Sequence, residues 1–120
     1  MRAARAPTRQ DLIDLLSEAI TEFNRTRVEI LKKALAGPGG GAAVEKLERE
    51  YDALRDARAE LRERQLAEND DAYRELAVRA SAETKALKKV IADLAAVSQI
   101  ISALATVVDI IGRIVLVAGL

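Results

Sequence analysis

The first part of the chain alternates apolar and polar residues at the spacing of an amphipathic helix. Apolar positions recur every three or four residues, which places them on one face of a helix over residues 9–36. Thr8 can cap the free amides at the start of this helix, and Asp11 stands where the helix dipole favours an anion. Residues 1–8 contain arginine but no acidic residue, and we expect a flexible basic N-terminus. The apolar face comprises Leu12, Ile13, Leu16, Ile20, Phe23, Ile30, Leu31 and Leu35.

A run of glycine and proline, residues 37–41, separates this helix from a second one. Proline lacks the amide donor and glycine carries an entropic cost, so we expect the run to act as a linker. Over residues 42–68 a narrow apolar stripe is surrounded by Glu and Arg, which predicts a charged helix with one buried side. The two helices are each about 40 Å long and match as an antiparallel hairpin. The stripe consists of Val44, Leu47, Tyr51, Leu54 and Leu61.

The apolar register shifts near Asn69, Asp70 and Asp71. Asn and Asp compete for backbone hydrogen bonds and favour helix caps, so we expect a turn at this point. The alternative is one continuous helix from Ala42 to Ala118, with the shift absorbed as a local stutter.

Residues 69–118 form the predicted third helix, and its second half carries the strongest pattern in the chain. From Leu87 onward, apolar residues alternate by three and four, the spacing of the a and d positions of a left-handed coiled coil. Further aliphatic residues widen this surface, so that only a thin polar strip remains. We predict an all-α fold: an elongated antiparallel helical hairpin plus a long C-terminal coiled-coil-like helix. The predicted partner-contact residues are Leu87, Val90, Leu94, Val97, Ile100, Ile101, Leu104, Val107, Val108, Ile111, Ile114 and Val115, and the polar strip, which would line a pore in a membrane assembly, is Gln99, Ser102, Thr106, Asp109 and Arg113.

The third helix is predicted to be too long for the hairpin to cover. It spans about 70 Å, so the apolar assembly segment 97–118 is expected to extend about 30 Å past the hairpin. Leaving this segment in water would forgo on the order of tens of kcal/mol of hydrophobic stabilisation. We therefore expect another molecule to cover it.

Two ways of covering segment 97–118 belong to different functional classes. The expected one is protein: identical copies, or a helical protein partner, pack around the segment and form an oligomeric bundle. The alternative is lipid, with the chain acting as a membrane-active or membrane-anchored protein of a pore-forming or holin-like kind. Insertion gains about 4–7 kcal/mol from the aliphatic side chains and loses about 5–7 kcal/mol at Asp109 and Arg113, so a lone span is neutral or unfavourable. A compact monomer with the helix folded back is the least favoured arrangement.

The composition removes most enzyme chemistry. The 120 residues include no Cys and no His, which excludes thiol and imidazole nucleophiles, His or Cys metal sites and disulfides. Lys and Arg total 19 and Asp and Glu total 19, so no net charge attracts nucleic acid. We expect a non-enzyme with no cofactor, no small-molecule substrate and no nucleic-acid partner. The acidic residues of the second helix alternate with arginines, and we interpret them as a solvated face rather than a metal site: Glu45, Glu48, Asp52 and Asp56.

The start of the chain predicts no export. No apolar run of about 7–15 residues follows the early arginines, so we expect no secretory signal peptide. We expect a cytoplasmic protein that associates with membranes only in the lipid-covered arrangement. The abundance of Arg and Ala indicates a bacterial source.

Overall fold

The computed structural model describes residues 5–120 and shows an all-α chain. The predicted fold class is confirmed, because the described residues form four helices and no strand beyond one isolated bridge. Residues 1–4 of the predicted basic N-terminus lie outside the described part. The helices are α1 (Arg9–Ala36), α2 (Gly40–Glu63), α3 (Asp71–Ala92) and α4 (Val97–Ala118).

A capping box fixes the start of α1. The Thr8 hydroxyl accepts a hydrogen bond from the Asp11 amide at 3.0 Å, and the Asp11 carboxylate accepts one from the Thr8 amide at 2.9 Å. The predicted start at residue 9 is therefore found in the structure. Thr8 and Pro7 belong to the segment predicted to be flexible, but both are held in place, since the Pro7 carbonyl accepts a hydrogen bond from the Tyr73 hydroxyl at 2.7 Å.

Helices α1 and α2 form the predicted antiparallel hairpin across the loop 37–39. The loop is shorter than the predicted linker because Gly40 and Gly41 already belong to α2. Gly40 has a φ of +50°, which glycine adopts without the steric cost that a β-carbon would bring. Inside the hairpin the rings of Phe23 and Tyr51 stack with their centroids 4.3 Å apart.

Helix α2 ends before the predicted boundary at 68. The connection 64–70 that follows is irregular, and its Leu66 is buried in the hydrophobic core. The backbone of this connection bonds to the end of the chain instead of continuing the helix, since the Ala67 amide donates to the Ala118 carbonyl at 2.8 Å. This pairing joins residues far apart in the sequence, so no local pattern could predict it. The predicted turn between the second and third helices is present, and the alternative continuous helix is not observed.

The predicted third helix over 69–118 is two helices in the structure. The chain reverses direction at 93–96, between α3 and α4. No Gly or Pro occurs in this turn, which is why the sequence predicted an unbroken helix. Leu94 adopts the left-handed conformation with a φ of +50°.

A Schellman motif closes α3 at this turn. The Leu94 amide donates to the Ile91 carbonyl at 3.1 Å, and the Ala95 amide donates to the Val90 carbonyl at 3.0 Å. Glycine usually occupies the left-handed position of this motif, because it has no β-carbon to clash with the backbone. Here leucine occupies it.

The two hairpins, α1–α2 and α3–α4, pack side by side with the same orientation. Helix α1 packs against α2 and α3, and α4 packs against the same two helices, whereas α2 and α3 are not adjacent. We call the end with the loop 37–39 and the α3–α4 turn the linker end, since Lys33 near the end of α1 contacts Leu94. The opposite end, which holds Thr8, the connection 64–70 and the end of α4, is the terminal end.

Helix α4 therefore lies along the bundle rather than beyond it. The longest dimension of the structure is 46 Å, well short of the about 70 Å predicted for an extended third helix. The radius of gyration is 14.9 Å, near the about 13.6 Å typical of a globular chain of this length. The predicted overhang of 97–118 is absent, and the chain has the folded-back arrangement that the sequence favoured least.

Burial of the inner face of α4 explains the reversal. The large aliphatic residues of that face are at most 1% exposed: Ile100, Leu104, Val107, Ile110, Ile111 and Ile114. Each contributes about 1.5–3 kcal/mol, so the face contributes at most about 9–18 kcal/mol. A left-handed leucine costs about 1–2 kcal/mol. The burial outweighs the strain of the turn.

The buried position of Leu104 gives a test of this arrangement. We expect Leu104→Ala to lower the free energy of unfolding by about 2–5 kcal/mol, because it leaves a cavity between α4 and its neighbours. The matched control is Leu116→Ala on the same helix, where the side chain is 83% exposed and the change should cost less than about 0.5 kcal/mol. Urea unfolding of both variants measures the difference. Equal losses of stability would contradict the observed orientation of α4.

Candidate interaction surface

The residues predicted to contact a partner lie mainly inside this single chain. Six are buried, five are half-buried against the same hydrophobic core, and Val97 is half-buried at the linker end. Neighbouring helices of the same chain already cover these side chains, so the reason given for a second molecule at this face no longer holds. The buried six are Leu87, Ile100, Leu104, Val107, Ile111 and Ile114, and the half-buried five are Val90, Leu94, Ile101, Val108 and Val115.

The face that α4 buries is rotated from the predicted seam. The part of the seam on α4 is Val97, Ile101, Leu104, Val108, Ile111, Val115 and Ala118. Leu104, Ile111 and Ala118 belong to both faces, but the other fully buried positions come from the aliphatic residues beside the seam, including Ile110. Helix α4 has apolar residues around most of its circumference, so periodicity alone could not choose which part faces the core. Packing against α2 and α3 determines which side of α4 is buried.

The predicted polar strip lies on the outer surface of the bundle. Gln99, Ser102, Asp109 and Arg113 are exposed and Thr106 is half-buried. Asp109 and Arg113 pair across one helical turn with 3.1 Å between Oδ2 and Nε, and both side chains are largely exposed. An exposed pair of this kind contributes under about 1 kcal/mol. In this structure the strip faces solvent.

Large aliphatic side chains remain uncovered at the terminal end of α4. Leu116 is 83% exposed, Val117 is 49% exposed and Leu120 is 78% exposed. We call these three residues the C-terminal patch. Backbone hydrogen bonds hold this end in place, since the Leu120 amide donates to the Gln65 carbonyl at 3.0 Å. On the helical wheel Leu116 lies opposite the buried face, whereas Val117 lies beside that face and Leu120 follows the end of the helix, so periodicity alone does not identify the three as one surface.

An open cleft of about 980 Å³ also lies at the terminal end. Its walls come from the start of the described chain, the connection 64–70 and the beginning of α3. Tyr73 is buried at its base, and burial raises the pKa of this tyrosine well above its usual range, with the Glu68 and Asp11 carboxylates adding to the rise. Since the Tyr73 hydroxyl donates to the Pro7 carbonyl, it acts as a structural tie.

A groove of about 540 Å³ on the outside of α2 has mixed charge. Arg55, Arg58 and Arg62 share it with the Asp52 and Asp56 carboxylates. Burial lowers the pKa of Arg58, and the neighbouring Arg62 and Arg55 lower it further. The acidic residues offset this local cationic charge, so the groove does not form a continuous basic surface of the kind that binds a polyanion.

Comparison with known proteins adds no assignment. No protein-family model matches the chain, and no curated protein and no solved structure is significantly similar to it. Within residues 5–120, no three acidic side chains converge closely enough to hold a metal ion. The acidic residues of α2 considered above, Glu45, Glu48, Asp52 and Asp56, therefore provide no such cluster.

Tyr73 gives a pH-dependent test of the terminal end. At pH 7, we expect Tyr73→Phe to lower the free energy of unfolding by about 1 kcal/mol through loss of the hydrogen bond to Pro7. The folded state raises the pKa of Tyr73 above that of tyrosine in the unfolded chain, which is about 10. The stability of the wild type is therefore fully present below about pH 10 and decreases as the pH rises further, because the unfolded chain then loses the tyrosine proton more readily than the folded chain does.

The difference between wild type and Tyr73→Phe should therefore shrink above about pH 10. Urea unfolding of both proteins from neutral to strongly alkaline pH measures it. A constant difference across this range would show that Tyr73 titrates normally in the folded chain.

Proposed function

We propose that this chain is a non-enzymatic helical interaction protein that acts through its apolar C-terminal helix. In this proposal the C-terminal patch contacts an apolar helix face, on a second copy of the chain or on a helical protein partner. The proposal is supported by one observation above all: the most apolar helix of the chain keeps aliphatic side chains exposed after folding. The exposed large aliphatic side chains of this helix are Leu116 and Val117 at its end, which are 83% and 49% exposed.

The C-terminal patch has the composition of an interface core. Isolated exposed aliphatic residues are ordinary on protein surfaces, but Leu116, Val117 and Leu120 lie within five residues at one end of the bundle. Covering each large aliphatic side chain contributes about 1.5–3 kcal/mol. Arg64 lies beside this end, with its Nε 2.7 Å from the Glu60 carboxylate, and such paired charges suit the polar rim of an interface.

Removing two leucines of the patch tests this function. We expect wild-type mass to rise with concentration in light scattering, and Leu116→Ser with Leu120→Ser to weaken self-association by about a hundredfold or more, since two buried leucines are lost. The matched control, Val28→Ser with Leu35→Ser, removes two exposed aliphatic side chains from α1 and should leave the association unchanged.

A wild type that keeps its single-chain mass of 13.0 kDa up to millimolar concentration would exclude self-association. Equal effects of the two double variants would show that general surface hydrophobicity, and not the patch, drives association.

Membrane insertion of α4 is a second candidate function. Among the described residues, α4 is the one helix long and apolar enough to cross a membrane, and its 22 residues span about 33 Å, close to the hydrocarbon thickness of a bilayer. Insertion would require α4 to leave the bundle and expose the apolar faces of α2 and α3. This cost, together with Asp109 and Arg113 inside the span, makes it the weaker candidate.

Vesicle flotation tests this second function. If α4 inserts, wild type floats with phosphatidylcholine or phosphatidylglycerol vesicles, and Ala105→Arg abolishes flotation because it adds about 2.5–3.5 kcal/mol near the centre of the span. Ala105 is exposed in the bundle, so the folded chain tolerates the change. The control, Ala72→Arg on α3, is also exposed but lies outside the span and should not affect flotation. Wild type that stays out of the lipid fraction would exclude insertion into these membranes.

A further inference from the structure

The turn between α3 and α4 is built mostly from residues that favour a helix, since Leu and Ala occupy three of its four positions. Its four residues, 93–96, read Asp, Leu, Ala, Ala, with no glycine or proline to stop a helix. Leu94 at its centre is the one residue other than glycine with a positive φ in the described part of the chain. A bulky side chain is rarely found in this conformation, because its β-carbon crowds the carbonyl oxygen that follows. The closed turn is therefore locally strained.

The coiled-coil pattern continues through the turn without a change of phase. Val90 before it, Leu94 within it and Val97 and Ile101 after it follow one another at spacings of four, three and four. All four side chains are only half-buried in the bundle. If α3 and α4 were joined as one straight helix, these residues would form a continuous apolar seam at its middle.

A single lysine holds the closed turn from outside. Lys33 Nζ donates to the Leu94 carbonyl at 2.6 Å and to the Ala95 carbonyl at 3.2 Å. In a continuous helix these two carbonyls would instead accept from the amides four residues later, at Ser98 and Gln99. The Leu94 and Ala95 carbonyls therefore accept hydrogen bonds in both conformations, from Lys33 in the turn and from backbone amides in the straight helix.

We propose that the α3–α4 turn opens to a continuous helix over 71–118 and that two copies of the chain exchange their α4 helices. Each α4 then occupies, in the second copy, the position beside α2 and α3 that it occupies in its own chain, so its inner face stays buried. The exchange relieves the strained leucine in both chains and brings together the half-buried seams around Leu94. Short strained turns are a recognised route to such exchanged dimers. This mode of assembly goes beyond the function proposed above, because it uses the inner face of α4 and not the C-terminal patch.

Two substitutions of Leu94 separate the effect of backbone strain at this position from the effect of losing the leucine side chain. Leu94→Gly and Leu94→Ala both remove the leucine side chain, but glycine favours the left-handed turn and alanine favours the continuous helix. After unfolding in urea and refolding at a series of concentrations, light scattering gives the dimer association constant. We expect that constant to be at least about a hundredfold larger for the alanine variant than for the glycine variant.

Val97→Pro independently prevents the continuous helix from forming. Residue 97 is the first residue of α4, where proline is well tolerated, and Ala96 before it already has the extended conformation that precedes proline, with φ of −53° and ψ of 141°. The closed bundle should therefore form, whereas a continuous helix would be broken at this position. We expect Val97→Pro to remain a monomer where Val97→Ala dimerises.

A distance within one chain identifies the exchange. The protein has no cysteine, so Ala72→Cys with Arg113→Cys places two spin labels at known positions, both exposed, towards the terminal end of the closed bundle and outside the C-terminal patch. In the continuous helix they are 41 positions apart, which corresponds to about 62 Å. In a dimer diluted with unlabelled chain, pulsed electron paramagnetic resonance should give this long distance; in the monomer it should give one below the 46 Å length of the bundle.

The following results would contradict the exchange of α4 helices. A dimer with only the short distance, or one that is lost in Leu116→Ser with Leu120→Ser but unaffected by Leu94→Gly, would show association through the C-terminal patch alone. A chain that stays monomeric even as Leu94→Ala after refolding at millimolar concentration would show that the turn does not open, without bearing on a helical partner of the patch.

Discussion

Burial of the inner face of α4 between α2 and α3 is the interaction on which the other features of this fold depend. It requires the chain to reverse direction within four residues, and it places leucine where glycine would be less strained. The same burial brings the end of α4 to the connection 64–70, where backbone hydrogen bonds replace the last turns of α2. One hydrophobic contact area thus determines two helix boundaries at opposite ends of the bundle.

Charged residues contribute to this structure mainly by defining its surface. The ion pairs within single helices, such as Asp109 with Arg113 and Glu60 with Arg64, are largely exposed, and pairs of this kind add little stability. Pairs between helices, such as Lys88 with Glu18 at 3.0 Å, connect the adjacent helices α3 and α1, but this pair is about half-exposed and adds similarly little. Among the exposed large aliphatic residues, which also include Val28, Leu35 and Val78, the C-terminal patch places three within five residues of one another.

Local patterns in the sequence were enough to predict helix content, the capped start of α1 and the first hairpin. They could not predict the α3–α4 turn, because three of its four residues favour a helix, none is Gly or Pro, and only the distant core makes the reversal favourable. For the candidate surface, periodicity identified the most apolar helix but not which side of it faces outward. Leu104 fitted both the predicted seam and the observed core, whereas Leu116 could be recognised as exposed only after the position of α4 was known.

The side-by-side arrangement of two hairpins has a consequence for the folding pathway. Within each hairpin the contacts join helices that are consecutive in the sequence, and chains rich in such local contacts fold in about microseconds to milliseconds. The contacts between hairpins, by contrast, must wait until the diagonal connection 64–70 brings the halves together. Docking of two preformed hairpins is therefore the expected late event, and the pairing of Ala67 with Ala118 would report its completion.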